Sequence, residues 1–120
     1  MNWTEALQYC RSRGGSLAEP TDSLIQSTLE NLTDNQYWIG ATDADSEGFF
    51  QWISGAAWSY TNWASGQPDD HGNDGEDCVH LRTDGEWNDL PCNSIYARPL
   101  CQYTNTTDQA DGKQKLVPSF

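Results

Sequence analysis

Apolar side chains recur at Trp3, Ala6, Leu7 and Cys10, a spacing of three and four that predicts an amphipathic helix over residues 3 to about 13. Gly14-Gly15 then ends it as a C-cap would. Residues 16–20 read as a short extended link. Thr21 or Asp22 is placed to cap a second helix that carries Leu24, Ile25, Thr28, Leu29 and Leu32 and reaches about residue 32. From there the helical period disappears. Residues 37–40 and 49–53 are short apolar runs bounded by turn formers, and they predict buried strands. Residues 78–82 alternate as a strand, residues 83–86 turn about Asp84-Gly85, and residues 94–102 predict a last strand ending at Cys101. Two helices followed by short strands make an α+β architecture.

Residues 55–77 break the pattern. They form a loop region rich in Gly, Asn, Asp and Ser with Trp58, Tyr60 and Trp63 embedded in it. A loop this long inside a small domain is usually functional. After Tyr103 the composition turns polar, and residues 104–120 are expected to be a disordered tail beyond a single domain at residues 1–103.

Composition sharpens this outline. The chain has 120 residues, room for one modest core, and only 36% hydrophobic residues. Six Trp, five Tyr and three Phe offset that shortage, because each aromatic ring buries a large area. A formal charge of −12 argues against nucleic acid or an anionic membrane as partner. No stretch approaches the roughly 18 apolar residues of a membrane span. No signal peptide is expected either, since Asn2-Trp3-Thr4-Glu5 already reads as helix. The four cysteines, Cys10, Cys78, Cys92 and Cys101, contain no Cys-x-x-Cys pair. Two disulfides and a secreted, extracellular setting are therefore expected rather than a zinc or redox site; the pairing is open among three possibilities. Sequons at Asn2, Asn31 and Asn105 are compatible with secretion but weigh little.

The charge is not spread evenly. Between Gln67 and Asp89 lie eight carboxylates and one basic side chain, Arg82. Such crowding costs stability through repulsion unless a cation offsets it. Oxygen-rich and sulphur-poor, the set suits a hard ion, above all calcium. One local motif competes: residues 43–48 resemble the first half of an EF-hand loop. Its twelfth position is Ser54, where a bidentate Glu is required, and a strand follows instead of a helix, so the EF-hand is rejected. Asp45 and Asp74 are read as solvated turn residues.

Trp38-Ile39-Gly40, Gln67-Pro68-Asp69, Glu76-Asp77-Cys78, Trp87-Asn88-Asp89 and the four cysteines, taken in order, resemble a C-type lectin carbohydrate-recognition domain over residues 3–103. The resemblance implies a C-type lectin-like double-loop fold, with two helices packed on short antiparallel sheets and a long calcium-binding loop. It also implies disulfides Cys10–Cys101 and Cys78–Cys92, and core roles for Trp38, Trp52, Trp63 and Trp87. Members of that family normally open with a strand that pairs with the last one. Here the chain starts at the helix, so the last strand is expected to lack a partner, its edge covered by the chain's own tail or by a second copy in a homodimer.

By the same resemblance Gln67, Asp69, Glu76, Asn88 and Asp89 form a primary calcium site, with a cis bond before Pro68, and the same five side chains hold the sugar. An ion with six to eight ligands leaves coordination for two neighbouring hydroxyls, while the acids accept and the amides donate around them. Asp43, Glu47, Asp70 and Asp77 match the family's auxiliary calcium site. In this family Gln-Pro-Asp goes with galactose-type sugars and Glu-Pro-Asn with mannose-type ones, because exchanging acid and amide reverses which hydroxyl donates. His71 stands where many galactose binders carry an aromatic platform, and Trp58 is the alternative platform. Glycans or glycoproteins are the implied partners, with Ca2+ as cofactor. Catalysis is not expected: crowded acids held ionised by calcium lack the raised pKa that a hydrolase acid needs. The rival reading is a lectin-like domain that binds mannose-type sugars or a protein, ice or lipid ligand instead.

Overall fold

The computed structural model describes residues 1–32, 35–45, 48–67, 77–104 and 114–118; for Asp77, Thr104 and residues 114–118 the backbone alone is described. The element order is α1 (Trp3–Ser12), β1 (Ser16–Leu17), α2 (Ser23–Leu32), β2 (Tyr37–Thr42), β3 (Gln51–Trp52), β4 (Asp77–Leu81), β5 (Trp87–Pro91), β6 (Arg98–Thr104) and β7 (Gln114–Pro118).

Helix α1 begins on a capping box. The Asn2 side chain accepts the Glu5 amide at 2.8 Å, and the Glu5 carboxylate accepts the Asn2 amide at 2.9 Å. It ends at Arg13, followed by Gly14 in the left-handed region at φ 84°. Trp3, Ala6, Leu7 and Cys10 form its buried stripe, as their spacing predicts. Helix α2 is capped by Asp22, whose Oδ1 accepts the Ile25 amide at 2.8 Å. Its inner face differs from the expected one. Gln26 and Leu29 are buried and Ile25 half-buried, whereas Leu24 is 76% exposed and Leu32 44%. The cause is the hydrogen bonding of Gln26, described below.

The sheet runs β1-β6-β2-β4-β5, with β3 paired to β2 and β7 to β6. Strand β2 is its centre and is buried on both faces, which explains the unbroken run of apolar residues from Tyr37 to Ala41. Because side chains alternate along a strand, β2 serves two cores. Tyr37, Ile39 and Ala41 join Leu29, Trp52, Val79, Leu81, Trp87 and Leu100 on the α2 side. Trp38 joins Trp3, Leu7, Leu17, Cys78 and Cys101 on the α1 side. The Trp3 indole N–H donates to the Ile39 carbonyl at 2.9 Å, locking α1 to β2. Disulfides join Cys10 to Cys101 and Cys78 to Cys92, the pairing that the resemblance implies.

Several boundaries differ from expectation, and in each case pairing decides. Residues 16 and 17, read as a link, form β1 against Gln102 and Cys101. The strand expected at residues 49–53 shortens to Gln51–Trp52, paired to Ala41 and Thr42. The last strand begins at Arg98, leaving Ile95 and Tyr96 exposed. Within the tail expected to be disordered, residues 114–118 form β7, antiparallel to Leu100–Thr104. The unpaired amides and carbonyls of β6 are the physical reason, since an open edge is a template for another strand. Of the two coverings expected for that edge, the chain's own tail and a second copy, the structure shows the tail.

Candidate functional site

The site is framed by the β4–β5 hairpin. Register pairs His80 with Asn88 and Val79 with Asp89, and the turn at residues 83–86 connects the strands. Alternation along β5 buries Trp87 and Asp89 and leaves Asn88 half-buried. Trp87 is the anchor. Its ring meets Trp52, Trp58, Tyr60 and Trp63 at centroid distances of 5.5, 6.0, 6.0 and 5.7 Å. Its backbone is clamped from the long loop as well: Trp87 N donates to Asn62 O at 2.9 Å, and Ala64 N donates to Trp87 O at 2.8 Å. These bonds bring the loop's end to β5. Gln67, whose amide donates to Ala64 O at 2.9 Å, therefore lies beside Asn88.

Gln67 and Asn88 line one polar cavity of about 380 Å3, together with Gln36, His80, Arg82 and Thr83. Asp89 is the next residue along β5 and is 6% exposed. Thus Gln67, Asn88 and Asp89, three of the five residues expected in the primary site, come to one end of the hairpin. Asp69, Glu76 and His71 lie outside the described residues, as do Glu47 and Asp70 of the auxiliary set. Asp43 is buried to 1%, and its Oδ2 accepts the Gly48 amide at 3.0 Å. Antiparallel pairing of Thr42 with Cys78 sets the backbone of Asp43 across from that of Asp77. The donors that are described are carboxylate and amide oxygens, a set that fits a hard cation and not a soft one.

Trp58 does not stand free. It is half-buried, 4.7 Å from Trp52 by ring centroids and 6.3 Å from a stacked Phe50, so it packs into the core. Trp38, Trp52, Trp63 and Trp87 do so too, as expected.

Two residues of the site's support, Gln26 and His80, carry no signal in the sequence. Gln26 reaches in from α2: its Oε1 accepts the Trp87 indole N–H at 2.8 Å, and its Nε2 donates to Gly85 O at 2.6 Å. Gly85 accepts from Asn62 Nδ2 as well, at 2.9 Å, and its φ of 88° favours glycine there. A side chain at Gly85 would also run into Glu30, only 2.6 Å from the position of its Cβ. His80 sits with Nδ1 3.1 Å from the Asn88 carbonyl. A carbonyl only accepts, so Nδ1 carries the proton. Burial lowers the His80 pKa to about 4, with the bond to Asn88 opposing and Arg82 assisting; the ring is neutral at pH 7. Glu19 is buried beneath β2 and accepts from Ser54 N at 3.0 Å and Ser54 Oγ at 2.6 Å. Desolvation raises its pKa, and the Ser54 bonds only partly offset that.

The model of the lectin C-type domain matches residues 1–103. The mannose-binding protein of Gallus gallus is 37% identical over 95 residues, which is 78% of this chain and 37% of that protein. C-type lectin domain family 4 member F of Mus musculus is 38% identical over 102 residues, again 78% of this chain but 18% of the relative. The chain thus spans well under half the length of either. Among solved structures, the cow C-type carbohydrate-recognition domain of CD23, in the presence of GlcNAc2Man3 oligosaccharide, superposes with a TM-score of 0.79 at 29% identity, covering 99% of this chain and 83% of that one. A calcium-independent type II antifreeze protein shares the fold at a TM-score of 0.70 and 28% identity, over 78% and 72% of the two chains. With the family model spanning both helices, both disulfides and the β4–β5 hairpin, this chain belongs to the C-type lectin domain family.

Proposed function

We propose that the chain binds glycans in a calcium-dependent manner through vicinal hydroxyls, and that the terminal sugar it prefers is galactose or N-acetylgalactosamine. The observation that carries this reading is the meeting of Gln67 and Asn88 on one polar cavity, with Asp89 next in line on β5. Gln67, Asp69, Glu76, Asn88 and Asp89 would hold the ion, and Asp43, Glu47, Asp70 and Asp77 an auxiliary one. Calcium is the ion that members of this family usually bind. Bound there, it supplies open coordination positions for two neighbouring hydroxyls. The chain's own part is orientation: amide N–H groups donate to the hydroxyl oxygens, and carboxylates accept their protons.

Preference for galactose rests on Gln67-Pro68-Asp69, with His71 as the face on which the sugar's apolar side rests. The mannose-binding relative favours mannose-type sugars as the second reading. The antifreeze neighbour has the same fold without calcium, so the reading stands on the side chains and not on the fold. Extracellular glycoproteins suit the two disulfides as partners.

Retention on galactose-agarose and mannose-agarose in calcium, with elution by EDTA, tests the reading. Retention on galactose alone is expected. Retention on mannose alone reverses the specificity. No retention on either, with calcium binding intact by calorimetry, removes the sugar and leaves the metal.

A further inference from the structure

Strand β2 runs between two cavities. Gln36, just before its start, lines the polar cavity of Gln67 and Asn88, and Thr42, at its end, lines another of about 360 Å3 that shares no residue with the first. The second opens between the last turn of α1 and the short ladder of β2 with β3. Arg11 comes from α1, Thr42 and Gln51 stand opposite one another in register, and Asp45, Trp52 and Ile53 add to the wall. Its volume lies within the range of roughly 300–1,000 Å3 typical of small-ligand sites. We propose that this cavity binds a free α-amino acid with an apolar side chain, its carboxylate on Arg11 and its ammonium on Asp45. The proposal is independent of sugar binding.

Charge sets the class of ligand. Arg11 and Asp45 both line the cavity, yet among the described residues their side chains, and that of Gln51, make no hydrogen bond or ion pair. All three are exposed, so a ligand reaches them without displacing a native contact. A ligand with one charge gains from one of the two and is repelled by the other, whereas a zwitterion gains from both. The guanidinium can grip a carboxylate through two parallel N–H bonds, Asp45 accepts from an ammonium, and the Gln51 amide both donates and accepts. A quaternary ammonium would instead need an open aromatic face. Trp52 offers none: it is 2% exposed and packs its ring on Trp58 and Trp87 in the α2-side core. Ile53, half-buried against the α1-side core, supplies the aliphatic wall for the ligand's own side chain.

Titration of the isotope-labelled full chain in calcium, followed by NMR, tests the site and reports folding in the same spectra. The probes are leucine, leucine amide, which lacks the carboxylate, and N-acetyl-leucine, which lacks the ammonium. Leucine should shift the amides of Thr42 and Gln51 with a dissociation constant of about 1–10 mM, because so small a ligand on an open surface gains little. Each derivative should bind about fivefold weaker, the worth of one exposed ion pair. Arg11→Gln should weaken leucine about fivefold and leave leucine amide unchanged. Asp45→Asn should weaken leucine likewise and leave N-acetyl-leucine unchanged. Absence of shifts at Thr42 and Gln51, or leucine binding that survives both substitutions, overturns the site. A derivative that binds as tightly as leucine overturns the zwitterion, and the proposal with it.

Discussion

Gln26 holds Trp87 from across the molecule, its Oε1 taking the indole N–H at 2.8 Å while its Nε2 donates to Gly85 at 2.6 Å. One buried amide thus spans α2, the hairpin turn and the residue immediately before Asn88-Asp89. Gln26→Leu should cost about 2–3 kcal/mol, because it strands a buried indole N–H and weakens the tie to the turn. Denaturant unfolding measures this. A loss below half a kilocalorie, at about 0.5 kcal/mol, would show that water replaces the amide without penalty.

The two disulfides should differ in worth. Cys10–Cys101 closes a separation of 91 residues and Cys78–Cys92 one of 14. On chain-entropy grounds, replacing the first pair by Ala should cost roughly 4–5 kcal/mol and the second roughly 3. Melts of the two double variants decide the order. The reverse order would show that the short bridge serves the hairpin through native contacts.

Glu19 predicts an unusual pH dependence. Its folded pKa is raised above the usual 4.5, chiefly by burial. Between those values the folded chain keeps a proton that the unfolded chain has lost, so this contribution is fully present below about pH 4.5 and fades as pH rises through the folded value. Relative to Glu19→Gln, the unaltered chain should therefore lose stability from pH 4 towards pH 7. Unfolding curves at several pH values measure the difference. A difference that is flat, or grows with pH, contradicts the account.

Strand β7 predicts the behaviour of a shortened chain. Deleting residues 105–120 uncovers the edge of Leu100–Thr104, which β7 pairs. The truncated chain should self-associate as its concentration rises, whereas the full chain should not. Sedimentation or size-exclusion runs across a concentration series would show it. A truncated chain that stays monomeric would mean that the edge is blunted by its own side chains.

What could be read from the residues alone follows physical lines. Helix α1 was legible because its stripe, N-terminal residues and terminal glycines agree with one another. Strands β2 and β4 were legible as apolar or alternating runs. Strands β1 and β7 were not, because Ser16–Leu17 and Gln114–Pro118 become strands only by pairing with β6. Leu24 and Leu32 misdirected the face of α2, since hydropathy cannot reveal that Gln26 will satisfy an indole 61 positions away. At the site, Asn88 was legible as part of a motif, whereas His80 and Gln36 reach the cavity it lines through strand register, which no local pattern encodes.

The parallel pairing of β2 with β6 governs when this domain can come into being. Tyr37 and Trp38 must wait for Arg98 and Pro99, and Cys10 must wait for Cys101. During synthesis α1 and β2 therefore emerge with much of their burial still unmade, and closure arrives only as β6 does. The Cys78–Cys92 hairpin, by contrast, is local enough to form ahead of that moment. Birth of the fold is thus a late event, in which Cys10 of α1 waits for a partner made 91 residues further along.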